Sequence, residues 1–180
     1  MAGLAKLPLW SGGGLVHVVV ETPRASRVKI AYDDELECFA MSRALMVGLA
    51  YPHDWGFLPS TRGEDGDPLD ALVIHDAPTS TGLVIRCRIV GALKVKQTVK
   101  GRDERNDRFF AVPECDPEAH LLQDVRNWPK DMRGQMEQFF CASVATEDKE
   151  LGFLGWAGPK EALKLIKAGE QALIESLVKS

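Results

Sequence analysis

The order of strand-like and helix-like segments constrains the fold of this 180-residue chain more than any other feature. Leu15 to Glu21 and residues 83–95 are rich in β-branched and apolar residues, which is typical of strands. Residues 129–144 and 160–179 instead place apolar residues at helical spacing, with a proline at or just before each start. This segregation predicts an α+β fold, in which a twisted or closed sheet is flanked by two main helices in the C-terminal third.

Three shorter stretches predict further strands: residues 27–32, 71–76 and 109–113. Residues 39–49 fit either a strand or a helix. Residues 1–14 end in Ser-Gly-Gly-Gly, which predicts a flexible lead-in. Since no internal repeat, low-complexity tract or linker interrupts the chain, we expect residues 1–180 to form a single domain.

Composition narrows the class of protein. A chain with 45% hydrophobic and 27% charged residues can build a core, and its net charge of −4 argues against non-specific nucleic-acid binding. The four cysteines form no CxxC pair and no Cys/His pair at zinc spacing, so we expect reduced thiols. No apolar run reaches transmembrane length, and the N-terminus lacks the pattern of a secretory signal. We therefore expect a cytoplasmic protein with no membrane partner.

An acidic turn, residues 63–70, places Asp65, Asp67 and Asp70 just before an apolar strand. Three carboxylates this close repel each other unless solvent separates them or cations neutralise them, so the turn is a candidate site for a hard cation. An EF-hand does not fit, because the fifth and twelfth positions counted from Asp65 are Leu69 and Asp76. The alternative is an exposed acidic turn without a ligand.

The turn Asp-Gly-Asp-Pro-Leu-Asp-Ala resembles the signature of family I soluble inorganic pyrophosphatases. The resemblance extends in order and spacing from about residue 15 to residue 145. It includes Val20-Glu21-Thr22-Pro23, Lys29, Met41-Ser42-Arg43, Tyr51-Pro52, Trp55-Gly56, Val84-Ile85-Arg86-Cys87-Arg88, Ala111-Val112-Pro113 and Phe139-Phe140.

This resemblance implies a five-stranded OB-like β-barrel with flanking helices. It also implies Mg²⁺-dependent hydrolysis of pyrophosphate to two phosphates, with Mn²⁺ as the alternative ion, and assembly into a homohexamer. The chemistry suits the residue types, because metals held by carboxylates activate water while Lys and Arg neutralise phosphoryl oxygens.

The resemblance also implies three groups of site residues: catalytic Asp67, Glu21 and Tyr51; phosphate-binding Lys29, Arg43 and Arg108; and metal-binding Asp65, Asp70 and Asn106. Asp67 would take the proton from the attacking water, and Glu21 would support the network of metal and water. Tyr51 would donate a hydrogen bond near the metals or the water.

Several groups that the family resemblance leads us to expect are replaced, at Ala31, Trp55, Lys96 or Gln97, Asn106, Ser143 and Val144. Asn106 can ligate Mg²⁺ through its carbonyl oxygen, but without charge. Ser143 and Val144 cannot serve as the phenol and the ammonium expected there. The acidic turn is therefore intact, while some of the expected outer metal ligands are absent. Two expected phosphate-binding groups, at Ser143 and Val144, are absent as well; we call these two positions the distal phosphate clamp.

Three interpretations of these replacements stay open at the level of sequence. In the first, the charged run 97–108 is realigned, so that Asp103, Glu104 or Asp107 supplies the missing carboxylate; Asp103 and Asp107 are thus further candidate metal ligands. In the second, the chain is a weak or inactive relative that binds a phosphate ligand or a partner. In the third, the thinned clamp admits a larger leaving group and another phosphoanhydride is hydrolysed. A nucleic-acid-binding OB module is disfavoured, because the sequence has no basic groove with interleaved aromatic residues.

Overall fold

A closed ring of five strands organises the computed structural model, which describes residues 3–179. The strands are β1 Trp10–Gly12, β2 Leu15–Thr22, β3 Val28–Asp33, β4 Cys38–Ala44, β5 Asp54–Leu58, β6 Leu69–Val73, β7 Val84–Val99, β8 Arg102–Arg105, β9 Arg108–Pro113 and β10 Lys149–Ala157. The helices are α1 Lys130–Val144 and α2 Pro159–Lys179. The ring runs β2–β5–β6–β9–β7 and closes through pairing of β7 with β2; only the β6–β9 pair is parallel. The predicted α+β fold with an OB-like barrel and two C-terminal helices is confirmed.

Strand β7 serves two parts of the sheet because it bends at Gly91. Its register against β9 shifts between Ile89 and Gly91, and Gly91 has a φ of +147°. A Cβ atom there would lie 2.3 Å from the Val125 side chain and 2.5 Å from the Ala157 carbonyl oxygen. Glycine is therefore needed at the bend. Beyond it, the strand continues past the barrel and pairs with β8 and β10.

Alternation along β6 and β9 divides the buried residues between two cores. Ala71 and Val73 point into the barrel, where Ala162 and Ile166 of α2 also pack. Leu72 points the other way, into a second core that includes Tyr51, Trp55, Phe110, Phe139 and Phe140. Because successive strand residues face opposite sides, both faces of these strands are buried. The second core fixes α1 and the aromatic residues beside the candidate site.

The predicted flexible lead-in is wrong for residues 3–14, while residues 1 and 2 lie outside the described part of the chain. Strand β1 pairs with β2, and Leu9 is buried in the barrel core. The Trp10 indole donates to the Glu170 carboxylate of α2 at 3.0 Å. Apolar burial and this long-range contact order the segment.

The structure also shows the secondary structure of two segments, residues 39–49 and 145–158, for which the sequence gave two alternatives or no prediction. Residues 39–49, which fitted either a strand or a helix, supply strand β4, which pairs only with β3 among the described residues. Residues 145–158 gave no prediction and contain β10, which extends the sheet beside β7. No helix within residues 3–179 is long and apolar enough to span a membrane.

Candidate active site

The acidic turn between β5 and β6 is held by its own backbone. The Gly63 amide donates to the Asp67 carbonyl oxygen at 2.7 Å, and the Asp67 amide donates to Asp65 Oδ1 at 3.2 Å. Gly66 takes a φ of +93°, a conformation that glycine adopts without strain. The turn therefore directs Asp65, Asp67 and Asp70 into one cavity of about 240 Å³.

Burial and repulsion between neighbouring carboxylates raise the pKa values of two aspartates in the acidic turn. Burial raises the pKa of Asp65 to about 6, and the nearby Asp70 charge adds to the shift. Partial desolvation in the cavity and the Asp70 charge likewise raise the pKa of Asp67, although its side chain is exposed to solvent. These shifts mark carboxylates that lack sufficient positive charge around them. A cation bound among them would relieve the repulsion.

Glu21 lies in a neighbouring cavity of about 230 Å³, which shares Lys29, Asp67 and Asp70 with the first. The register of β2 against β5 shifts between Val20 and Thr22, so Glu21 occupies a bulge. Its carboxylate accepts a hydrogen bond from the backbone amide of Tyr32 at 2.8 Å. Burial is the main reason that its pKa is raised to about 7. Glu21 is thus adjacent to the acidic turn rather than part of the same cavity.

Tyr51 forms the buried aromatic floor of the larger cavity. Its ring contacts Trp55 and Phe139 edge-on, with centroid distances of 5.9 and 5.4 Å. Burial raises the pKa of the Tyr51 hydroxyl well above its usual range, so the phenol stays protonated.

Four cationic side chains line the larger cavity: Lys29, Arg43, Arg108 and Lys149. Lys29 and Arg43 face each other across the β3–β4 pair. Arg43 and Lys149 share one counterion, since Glu147 lies 2.6 Å from the first and 3.0 Å from the second. The wall opposite the turn therefore carries a pair of cations held by a single carboxylate.

Arg108 is the most buried of these cations and sits beside the acidic turn. It is the register partner of Asp70 on the parallel β6–β9 pair and forms an ion pair with it. Its guanidinium also donates to Asn106 Oδ1 and lies 5.1 Å from the centre of the Trp55 ring. Trp55, which stands where the resemblance leads us to expect Tyr or Phe, thus offers a ring face that favours the cation.

The third wall is formed by the end of β7 and by β8. Gln97 Nε2 donates to Glu104 Oε1 at 2.7 Å, and Asn106 Nδ2 donates to Asp65 Oδ2 at 2.8 Å. Asn106 also lies within 3.4 Å of the Gln97 side-chain oxygen. Two neutral amides therefore join the acidic turn to Glu104.

The sequence and the fold agree with those of known proteins. A family model described as inorganic pyrophosphatase matches residues 18–173. The chain belongs to the inorganic pyrophosphatase family. An inorganic pyrophosphatase of Synechocystis sp. is 34% identical over 164 residues, which cover 91% of this chain and 95% of that protein. That of Thermus thermophilus is 36% identical over 172 residues, covering 93% and 96%.

Solved structures of the family superpose over nearly the whole chain. The crystal structure of inorganic pyrophosphatase from Thermus thermophilus matches with a TM-score of 0.85 and 32% identity, covering 96% of this chain and 99% of that one. The enzyme from Helicobacter pylori matches with a TM-score of 0.82 and 27% identity, covering 93% and 98%. The family resemblance that the sequence indicated is confirmed.

The structure separates two of the sequence-based metal candidates from the cavity. Asp103 is exposed on the outer face of β8 and binds Lys96 at 2.8 Å and Thr98 at 2.6 Å. Asp107 is buried elsewhere, where its carboxylate accepts from the Val95 amide at 2.9 Å and pairs with Arg105 at 2.8 Å. Both carboxylates are committed to holding the β7–β8–β9 region together. Neither carboxylate lines the cavity, so the structure does not bring these two candidate metal ligands together with the acidic turn.

The larger cavity brings together most of the other site residues proposed from the sequence, and three further charged residues line it too. Asp65, Asp67, Asp70, Asn106, Lys29, Arg43, Arg108 and Tyr51 all line the larger cavity. The sequence interpretation gave no role to Glu147 or Lys149, and it held Glu104 only as one of three options. The mixed-charge run Glu147-Asp148-Lys149-Glu150 before an apolar stretch was the available signal for a strand entering the site.

The oxygen donors of the cavity suit a hard divalent cation. Asp65, Asp67 and Asp70 offer carboxylates and Asn106 an amide oxygen, the ligand types that Mg²⁺ and Mn²⁺ prefer. Within residues 3–179, no group of three or more His, Cys, Asp or Glu side chains is arranged to hold a metal ion by itself. Arg108 stands against both Asp70 and Asn106, so cation binding there requires this guanidinium to move toward other acceptors.

Proposed function

We propose that this protein hydrolyses inorganic pyrophosphate to two phosphates with the help of bound Mg²⁺, for which Mn²⁺ can substitute. The observation that carries the proposal is the meeting of the Asp65–Asp70 turn with four cationic side chains in one cavity of a pyrophosphatase-family barrel. Carboxylates are suited to metals and cations to phosphoryl oxygens, so this pairing favours metal-assisted phosphoryl transfer to water.

The charge balance of the cavity favours a requirement for metal. Its lining includes five carboxylates, Asp65, Asp67, Asp70, Glu104 and Glu147, against the four cations named above. Pyrophosphate carries several negative charges and would be repelled by a cavity with an excess of anions. A bound divalent cation offsets this charge and lowers the pKa of a coordinated water, which makes hydroxide available near neutral pH.

The proposed residue roles follow from position. Asp65, Asp70 and Asn106 would hold the metal, while Lys29, Arg43 and Arg108 would bind phosphoryl oxygens. The oxygen of a water molecule attacks one phosphorus atom, and Asp67 accepts the proton that this water loses. The bond from that phosphorus to the bridging oxygen breaks, and the second phosphate leaves with the bonding electrons.

Two further groups are assigned supporting roles. Glu21, whose cavity shares Asp67 and Asp70, would accept hydrogen bonds from water around the metal. Tyr51, protonated and buried, would donate a hydrogen bond into the site. Cytoplasmic location and assembly into a homohexamer are proposed from family membership; the molar mass measured by light scattering after size-exclusion chromatography tests the hexamer.

The central test is a phosphate-release assay with pyrophosphate. We expect release that requires millimolar Mg²⁺ and disappears with excess EDTA, because the cavity lacks the charge to bind the substrate alone. No release by folded protein with either Mg²⁺ or Mn²⁺ would favour the second candidate, a phosphate-binding relative without turnover, which the replacements at Ser143 and Val144 motivate. Faster release from ADP or ATP than from pyrophosphate would indicate another phosphoanhydride as substrate.

Lys149 is expected to supply part of the phosphate binding that Ser143 and Val144 cannot. Lys149→Met removes the charge but keeps the aliphatic stem, and we expect the KM for pyrophosphate to rise about tenfold, the value of one charge-assisted hydrogen bond. Lys94→Met is the matched control, because Lys94 also pairs with a glutamate, Glu161, but outside the cavity. Equal KM values for the two variants would remove Lys149 from substrate binding.

A further inference from the structure

The β7–β8 hairpin brings one extra carboxylate to the wall of the cavity. Lys100 and Gly101 both have positive φ, +50° and +77°, and form the turn that folds β8 back onto β7. The register places Glu104 opposite Gln97 and Asp103 opposite Thr98. Because neighbouring strand residues face opposite sides, Glu104 lines the cavity while Asp103 faces away from it.

Glu104, like Asp65 and Asp67 of the acidic turn, lines the cavity without an ion pair to a cationic side chain among the described residues. Among residues 3–179, its carboxylate accepts a hydrogen bond only from the neutral Gln97 amide, at 2.7 Å. Asp70, by contrast, pairs with Arg108, and Glu147 pairs with two cations. The Glu104 carboxylate is therefore held by a neutral amide and by no ion pair among the described residues.

Gln97 and Asn106 are neutral side chains, so they bring no negative charge to the β7–β8 wall of the cavity. The family resemblance leads us to expect one acid at Lys96 or Gln97 and another at Asn106, yet none of these three residues carries a carboxylate. Amide oxygens can coordinate a divalent ion, but they do nothing to neutralise it, and a charge held without compensation near a protein is costly. Glu104 lies directly against Gln97 and is the carboxylate that this wall offers.

We propose that Glu104 binds a divalent cation on the β7–β8 wall and supplies the negative charge that Gln97 and Asn106 lack. The inference rests on the proposed function, since it assigns a ligand to the metal site of that reaction. The Gln97 and Asn106 side-chain oxygens would complete the oxygen donors beside it. The β8 strand thus compensates for the two amides with a carboxylate that enters the site from the neighbouring strand.

Titration of the purified protein with Mn²⁺, followed by electron paramagnetic resonance of the free ion, tests this assignment without any turnover. We expect Glu104→Gln to weaken binding of one Mn²⁺ at least about tenfold, since it removes the charged ligand. Asp103→Asn is the matched control on the outer face of β8 and is expected to bind Mn²⁺ as the wild type does. Thermal unfolding confirms that both variants keep the fold.

A double variant separates ligation from a structural role of the hairpin. Gln97→Glu added to Glu104→Gln returns a carboxylate to the same facing pair of residues, so we expect Mn²⁺ binding to recover. Wild-type affinity in Glu104→Gln, an equal loss in Asp103→Asn, or no recovery in the double variant would each overturn the assignment. Pyrophosphate hydrolysis by a protein that binds Mn²⁺ independently of Glu104 contradicts this inference alone. Glu104-dependent Mn²⁺ binding without hydrolysis contradicts only the proposed function.

Discussion

Asp67→Asn is expected to lower kcat for pyrophosphate by roughly 10²- to 10⁴-fold, the usual contribution of a positioned general base. The asparagine side chain has nearly the same shape but cannot take the proton from the attacking water. The fold should tolerate the change, because Asp67 is exposed and contributes to the turn through its backbone amide and carbonyl. The measurement is the steady-state rate at saturating pyrophosphate and Mg²⁺.

Glu64→Gln is the matched control for this variant, since Glu64 belongs to the same turn but lines a different cavity, beside α2. We expect it to retain the wild-type rate. Mn²⁺ affinity should change little in Asp67→Asn if Asp67 acts as a base rather than as a principal ligand. A variant that keeps more than about a tenth of the wild-type kcat would contradict the proposed role.

The acidic turn could be predicted from the sequence because its geometry is local. The hydrogen bond of the turn joins Gly63 to Asp67, only four positions away, and the positive φ belongs to Gly66 between them. The strand that follows carries its own apolar pattern. For the same reason the long strands and the two amphipathic helices were predicted, since periodicity and proline placement are properties of short segments.

The other walls of the site depend on pairings that a sequence does not display. Glu104 reaches the cavity because β8 pairs with β7 in one register, and a shift by a single residue would bring Asp103 there instead. Lys149 enters because β10 places it opposite Val99, far away along the chain. Charge patterning alone could not distinguish Asp103, Glu104 and Asp107, which stand close together in one run.

The replacements in this chain are concentrated on the walls that face the turn. Compensation there is supplied from adjacent strands rather than at the same positions: Glu104 stands beside Gln97, and Lys149 lies in the cavity that Ser143 and Val144 also line. Arg108, meanwhile, remains the register partner of Asp70. The three aspartates of the turn are thus present, and charged side chains from β8 and β10 line the cavity with them. This arrangement favours an active enzyme over an inactive relative.

Gly56→Ala is expected to have the largest effect on folding, because Gly56 allows β2 and β5 to approach each other. A Cβ atom at this position would lie 1.9 Å from the Val19 carbonyl oxygen and 3.0 Å from the Val20 Cα. Both are backbone atoms that cannot move aside without separating the two strands. We expect the free energy of unfolding to fall by at least about 3 kcal/mol, the upper part of the range for overpacking, or the protein not to fold.

The same close approach connects Gly56 to the active site. Gly56 is paired with Val20, and the register shift that follows places Glu21 in the bulge beside the acidic turn. Gly152→Ala is the matched control, since Gly152 also lies in a strand but a Cβ atom there would meet nothing closer than 3.8 Å. Urea denaturation of both variants checks the expectation. If Gly56→Ala has the same urea midpoint as Gly152→Ala, the β2 and β5 strands can separate at little cost. The bulge at Glu21 would then not depend on having glycine at position 56.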